Sequence, residues 1–212
     1  MQPAFQLIPQ PTSISNLGIP VLGICAAGSN AGKTTLITRL IPALAQLQIR
    51  TSVIKHAHHR FDIDHPGKDS YQIRESGAVQ TLVASNLRWA LMTERQHTAD
   101  KDAELDLAEL LSQMNTDYAD LILVEGFKQA LIPKIEVYRS GIDLPLLATS
   151  DPNIIAVASD LTLKLDVPVL NLNDIPAMTD FIMQYMQIHN SSKWLLLALQ
   201  TNHLCRSLRF LK

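Results

Sequence analysis

The apolar run VLGIC at 21–25 passes without a break into AAGSNAGKTTL at 26–36. VLGICAA (21–27) reads as a buried strand, and the spacing of Leu36, Leu40, Ile41, Leu44 and Leu47 reads as a helix over 33–47. Between them lies a glycine-bearing bend that closes on a lysine and two threonines. A strand that enters such a bend and leaves it as a helix restricts the chain to a small set of α/β folds. Pro42 falls inside the helical pattern and is expected to bend or shorten the helix.

The alternation continues down the chain. RTSVIKHA (50–57) reads as a second strand, and Asp62, Asp64, Pro66 and Gly67 mark the loop after it. Asp69 or Ser70 offers an N-cap for the helix YQIRESGA, with Gly77 as its stop. VQTLVASN and RWALMTE read as two short strands joined by a turn near Asn86. DAELDLAELLSQM (102–114) is an amphipathic helix with acidic residues toward its start, which suits the helix dipole. DLILVEGF (120–127) is an almost uninterrupted apolar strand, and KIEVYR, IIAVAS and VPVLNL supply three more. DIPAMTDFIMQYMQ is a closing helix capped by Asp174. The Pro- and Ser-punctuated stretch 139–153 reads as a long surface excursion. Continuous apolar strands alternating with helices imply a sheet covered on both faces. The expected fold is the three-layer α/β fold of P-loop NTPases, with a mostly parallel, doubly wound sheet.

At 212 residues the chain suits one ordinary domain, expected over 19–190 between a flexible leader (1–18) and a C-terminal tail (191–212). A net charge of -2 gives no global basic field, which argues against a nucleic-acid sleeve. Cys25 and Cys205 form no disulfide framework, and that usage suits a reducing cytosol. The N-terminal stretch lacks the basic and apolar regions of a signal peptide, and no apolar run is long enough to cross a bilayer. The tail KWLLLALQTNHLCRSLRFLK reads as a terminal helix packed on the domain or on a partner subunit. A membrane-surface helix and a frayed end are the other readings.

Counting back from Gly32-Lys33-Thr34, the bend fits the P-loop pattern with Ala27 where glycine is commonest. The chemistry requires a tight turn whose backbone N–H groups converge on phosphate oxygens, and Gly28 and Gly32 supply the conformational freedom. Lys33 would place its ammonium on the β/γ-phosphates, and Thr34 its hydroxyl on Mg²⁺. The following helix adds its positive end. A plain glycine turn with a surface lysine is the competing reading, and the strand and helix on either side argue against it. The metal needs an acid at the carboxyl end of a parallel strand. Glu125 ends LILVE there, whereas Asp120 begins the same strand at the wrong edge. Glu125 would bind Mg²⁺ through water or orient an attacking water; otherwise it is an ordinary strand-end charge.

KHAHH (55–59) invites a metal reading, with His56 and His58 on one face of a strand. A zinc site needs four ligands, or three and an open position, and the sequence supplies no matching set. Lys55 and His56 fit better as anion contacts at the carboxyl end of the second strand. Asp62, Asp64, Lys68 and Asp69 then lie in a loop placed to respond to γ-phosphate and Mg²⁺, or in a plain solvated loop. Arg74 and Arg88 are charge stabilisers or surface residues. No glycine-framed serine or cysteine nucleophile is evident.

Several stretches together resemble one family, the molybdopterin-guanine dinucleotide biosynthesis adapter proteins, called MobB. They are GKTTLITRLIPAL, the long run from Ile54 to Glu94, ELDL, DLILVEGFK and IIAVASD, covering roughly 20–188. The resemblance implies a homodimeric, cytoplasmic GTP-binding protein with weak GTPase activity and Mg²⁺ as its metal. It implies an accessory role in attaching GMP to molybdopterin, with the nucleotidyl transfer done by a partner nucleotidyltransferase, and neither nucleic acid nor membrane as a ligand. Carried over by motif, the nucleotide-binding residues are Ala27, Gly28, Ser29, Asn30, Ala31, Gly32, Lys33, Thr34 and Thr35, with Lys55 and His56 from the histidine-rich loop. Lys33 and Glu125 take the catalytic roles, and Thr34 and Glu125 the metal. Asp160, ending IIAVASD, is a candidate for reading the N1 and N2 donors of guanine; a helix cap is the alternative. A P-loop kinase acting on a small molecule and a scaffold with a vestigial loop are the rival functions. PKIEVYRSGIDLP and the tail are the candidate dimer contacts.

Overall fold

The computed structural model describes residue 14 and residues 17–57, 61–95 and 105–189. The leader apart from Ile14, Leu17 and Gly18, the tail, His58 and His59 therefore lie outside the described residues. Contacts gather the chain into two compact units: Ala57–Asp106, and the remainder on either side of it.

The larger unit is built on a six-stranded sheet. Its strands are β1 (Val21–Cys25), β2 (Thr51–Lys55), β5 (Leu121–Glu125), β6 (Lys134–Tyr138), β7 (Ile154–Ser159) and β8 (Val169–Asn171). They lie in the order β2-β5-β1-β6-β7-β8, and every pairing is parallel. The helices of this unit are α1 (Lys33–Gln46), α3 (Leu107–Ser112) and α4 (Ile175–His189). Alternate residues of each strand serve opposite faces. Leu22, Ile24, Leu121, Leu123, Ile135 and Val137 join Leu36, Leu40 and Leu44 of α1 and Phe181, Ile182 and Tyr185 of α4 in one core. Val21, Ile122 and Val124 face the other way, against Leu107 and Leu111 of α3, and Ile14 of the leader is buried with them. Each fully buried leucine contributes on the order of 2 kcal/mol by transfer alone. The result is the three-layer, doubly wound architecture that the sequence implied.

The helix α1 runs through Pro42 rather than ending there. Proline removes the bond to the carbonyl four residues back, that of Thr38, and both Thr38 and Pro42 are on the exposed face. Water can serve that carbonyl, while the buried face of Leu36, Ile37, Leu40 and Leu44 is untouched. Asp174 does cap α4, accepting from the Ala177 N–H at 3.0 Å.

The expected surface excursion 139–153 is tied inward at several points. A 3₁₀ turn at Leu147–Thr149 directs the Leu147 and Ala148 N–H groups onto the fully buried Glu136 carboxylate, at 2.9 and 2.8 Å. The dimer-contact reading of KIEVY needs correction for a related reason. It forms β6, held between β1 and β7, and Lys134 to Val137 are buried inside the subunit.

The smaller unit holds α2 (Asp69–Glu75) and an antiparallel pair, β3 (Gln80–Ala84) and β4 (Trp89–Thr93). Ser85 closes the turn between them, donating its N–H to the Arg88 carbonyl at 2.8 Å. The N-cap of α2 is Lys68, not Asp69 or Ser70, and no side chain caps it. Ser70 donates instead to Asp64, whose burial shows that this loop is more than a solvated link. Gly77 ends the helix as expected, in the left-handed region at φ 103°. Arg74 is internal to this unit: it pairs with Asp62 at 2.9 Å and Glu94 at 3.3 Å, and lies over the Tyr71 ring.

Candidate phosphate and metal site

The bend after β1 turns on two left-handed residues, Asn30 (φ 60°) and Gly32 (φ 98°). Gly32 is the N-cap of α1, and its carbonyl accepts the first helical bond, from Leu36 at 2.9 Å. Ala27 is absent from the residues of positive φ, so alanine fits the first position without strain. Gly28 also lacks a positive φ; a Cβ there would lie 2.7 Å from Cδ1 of the exposed Leu144, a side-chain end that can move aside. The left-handed freedom expected of Gly28 from sequence is therefore used at Gly32 and not at Gly28. Ala31 is fully buried, whereas Ser29, Asn30, Thr34 and Thr35 are exposed. Lys33 folds back across the loop and donates its Nζ to the Gly28 carbonyl at 3.0 Å.

Glu125 closes β5 level with Ile24 on one side and Lys55 on the other. That register brings three side chains from three elements together. Thr34 Oγ1 donates to Glu125 Oε1 at 2.7 Å, and Lys55 Nζ lies 3.1 Å from Thr34 Oγ1 and 2.5 Å from Glu125 Oε1. Asp120 sits at the opposite edge, as its place in the strand implied, and pairs with Arg50 at 3.0 Å. Beyond Glu125 the chain turns sharply through Gly126 (φ 95°) and Phe127 (φ 48°). A Cβ on Gly126 would meet His56 Cβ at 3.0 Å. The strand β2 stops at Lys55, and His56 lies just past its end. Its N–H donates to the Glu125 carbonyl at 2.9 Å, and its ring stacks on Phe127 at 4.8 Å. Among the described residues no three His, Cys, Asp or Glu side chains cluster as metal ligands.

Asp160 lies just past β7, two strands from β1, and spends both oxygens on Ser140: N–H to Oδ1 at 2.7 Å and Oγ to Oδ2 at 2.8 Å. The Ser140 N–H, then its hydroxyl, hold this carboxyl below its usual range.

Two features escaped the sequence reading. Arg139, at the carboxyl end of β6, brings a guanidinium nitrogen to 4.0 Å from where a Gly32 Cβ would project. Its position after KIEVY, at the ligand edge of a parallel sheet, was the available signal. The second is a buried charged floor behind the loop strand. Lys134 Nζ donates to the carbonyls of Lys128 (3.0 Å) and Ala130 (2.7 Å) and to Asp151 (2.7 Å). Gly23 faces it, and a Cβ there would lie 2.6 Å from Lys134 Cγ. Burial raises the Glu136 carboxyl above its usual range and pushes the Cys25 thiol up to about 12. Cys25 is therefore an inert core residue.

An all-parallel sheet, a glycine-turned loop between its central strand and a helix, and a lysine, threonine and strand-end acid around that loop define an α/β fold of the P-loop NTPase type. The family model described as "Molybdopterin guanine dinucleotide synthesis protein B" matches residues 21–160. The chain is 52% identical over 173 residues to the molybdopterin-guanine dinucleotide biosynthesis adapter protein of Escherichia coli K12, covering 81% of this chain and 96% of that one. It is 43% identical to the protein of the same name from Haemophilus influenzae, over 81% and 92% of the two chains. Among solved structures, Bacillus subtilis MobB aligns with a TM-score of 0.62 at 25% identity, covering 79% of this chain and 98% of that one. This chain belongs to the MobB family. Among the described residues, no helix is long and apolar enough to cross a membrane.

Proposed function

We propose that this chain binds GTP with Mg²⁺ at the loop 27–35 and hydrolyses it weakly. We further propose that it acts as a homodimeric cytoplasmic adapter to a nucleotidyltransferase that joins GMP to molybdopterin. The observation that carries the site assignment is the meeting of Thr34, Glu125 and Lys55 at the carboxyl edge of the sheet. The relatives' printed names, as adapters of molybdopterin-guanine dinucleotide biosynthesis, support the pathway.

The residues suit the ligand pair. Mg²⁺ takes hard oxygen donors, and the Thr34 hydroxyl and Glu125 carboxylate are two such groups 2.7 Å apart. Thr34 and Glu125 would hold the ion, which when bound would supply positive charge against the phosphates. Lys33, which bonds the Gly28 carbonyl across the loop, would give its ammonium to a phosphate oxygen. The N-terminus of α1 adds its positive end to the same place. His56, pinned by Phe127 and Gly126, holds the backbone around Glu125 in position. Asp160 carries one Ser140 bond on each oxygen and would use its remaining lone pairs to read guanine.

Lys33→Ala tests the reading. Binding of GTP, GDP and ATP is measured by calorimetry with and without Mg²⁺, and the fold by circular dichroism. Loss of a charge-assisted contact in this site weakens triphosphate affinity by about 30-fold or more. Retained affinity for GTP removes the loop assignment. Preference for ATP with phosphorylation of a small acceptor replaces the adapter by a kinase.

A further inference from the structure

We propose that Lys55 is a built-in counter-cation: its ammonium holds the divalent-metal position between Thr34 and Glu125 and must be displaced for the metal to enter. The inference rests on the phosphate-and-metal reading of this site and adds a device to it. The geometry is specific. A single ammonium touches both oxygens that the metal would use, at 3.1 Å from Thr34 Oγ1 and 2.5 Å from Glu125 Oε1. Those two oxygens are themselves joined at 2.7 Å, so the three atoms form one closed cluster. Two cations cannot share it. A divalent ion and an ammonium at the same carboxylate oxygen repel at short range in a partly desolvated setting.

Burial says which partner moves. The Glu125 side chain is 9% exposed and fixed at the end of a central strand, whereas that of Lys55 is 53% exposed on the edge strand β2. An ammonium so placed regains water when it leaves, and its four-carbon stem gives it reach. The charge balance favours the exchange only when phosphate is present. Lys55 neutralises Glu125 one for one. A divalent ion leaves a surplus positive charge, and expelling the ammonium beside it adds another. A polyphosphate on the loop absorbs both. The site therefore discriminates against metal alone and takes metal together with nucleotide. Lys55 is a positioning residue here, acting on the metal through its hold on Glu125.

The test uses the full chain and Mn²⁺ as the probe, its binding read by electron paramagnetic resonance without nucleotide. In Lys55→Met the half-saturating Mn²⁺ concentration falls roughly tenfold or more relative to wild type. Glu125→Gln loses that binding. An unchanged or raised half-saturation in a folded Lys55→Met protein overturns the proposal, because the lysine would then be a static support for the carboxylate. A second measurement needs no variant. Acetic anhydride labelling of Lys55 in the wild-type protein, followed by mass spectrometry, rises when MgGTP is added; labelling that stays constant or falls also overturns it. If Lys33→Ala shows that GTP is not the ligand, the Mn²⁺ arm still stands by itself, so the two failures can be told apart.

Discussion

Two lysine–acid pairs lie among the described residues of the larger unit, and their placement separates them. Lys55–Glu125 sits at the ligand edge with its lysine half exposed. Lys134–Asp151 sits behind the loop strand with its lysine 1% exposed. Lys134 uses all three ammonium donors, on two carbonyls and a carboxylate, and a glycine on the neighbouring strand makes room for its stem. Nothing can replace it without leaving those acceptors bare. Lys55 has two partners, both of which another cation can satisfy. The same side chain is thus a fixed part in one place and an exchangeable one in the other, and solvent access decides which.

Three measurements sharpen that contrast. The largest effect is expected for Lys134→Met, which removes one partner of a buried pair and orphans two carbonyls. It should destabilise the fold by about 3 kcal/mol or more in urea unfolding. A loss under about 1 kcal/mol would mean that the pair is no more committed than the exposed one.

Asp151→Asn comes next, and it carries a pH signature. Burial pushes this carboxyl up, but bonds from Lys134 and Asn153 outweigh it and leave the value below the ordinary 3.8. A depressed carboxyl contributes stability above its unfolded value and loses it as pH falls through the folded one. The wild type should therefore lose stability below about pH 4, and the variant should show a flatter acid limb at an overall cost of roughly 1–2 kcal/mol. Parallel acid limbs in the two proteins would remove Asp151 from that account.

The smallest effect is expected for Lys55→Met, whose exposed pair should change stability by no more than about 1 kcal/mol. A cost as large as that of Lys134→Met would erase the distinction between the two regions.

Much of the fold was legible because its signals are local. Continuous apolar strands announced a parallel sheet, Asp174 announced the start of the last helix, and the choice of Glu125 over Asp120 followed from strand direction alone. The charged floor was not legible. KIEVY alternates charged with apolar residues, yet both its faces are covered. The groups that make this possible are the amides of 147 and 148 and the carbonyls of 128 and 130, which come from other loops. The cluster at the site was half legible. Thr34, Lys55 and Glu125 could each be named, but their convergence depends on the level at which β2, β5 and β1 align, which sequence does not print. The left-handed turn expected at Gly28 and Gly32 falls on Asn30 and Gly32 instead, a choice of backbone angle that the letters alone do not print.

The strand that carries the loop is made early in synthesis, yet it lies between β5 and β6, and the carbonyl of Val21 is bonded at 2.7 Å by the Tyr185 hydroxyl of the last described helix. A nascent chain therefore exposes the whole GKTT motif on the ribosome long before anything can hold it in shape. Translation arrested ahead of α4 would leave a polypeptide with every letter of the signature and no working cradle.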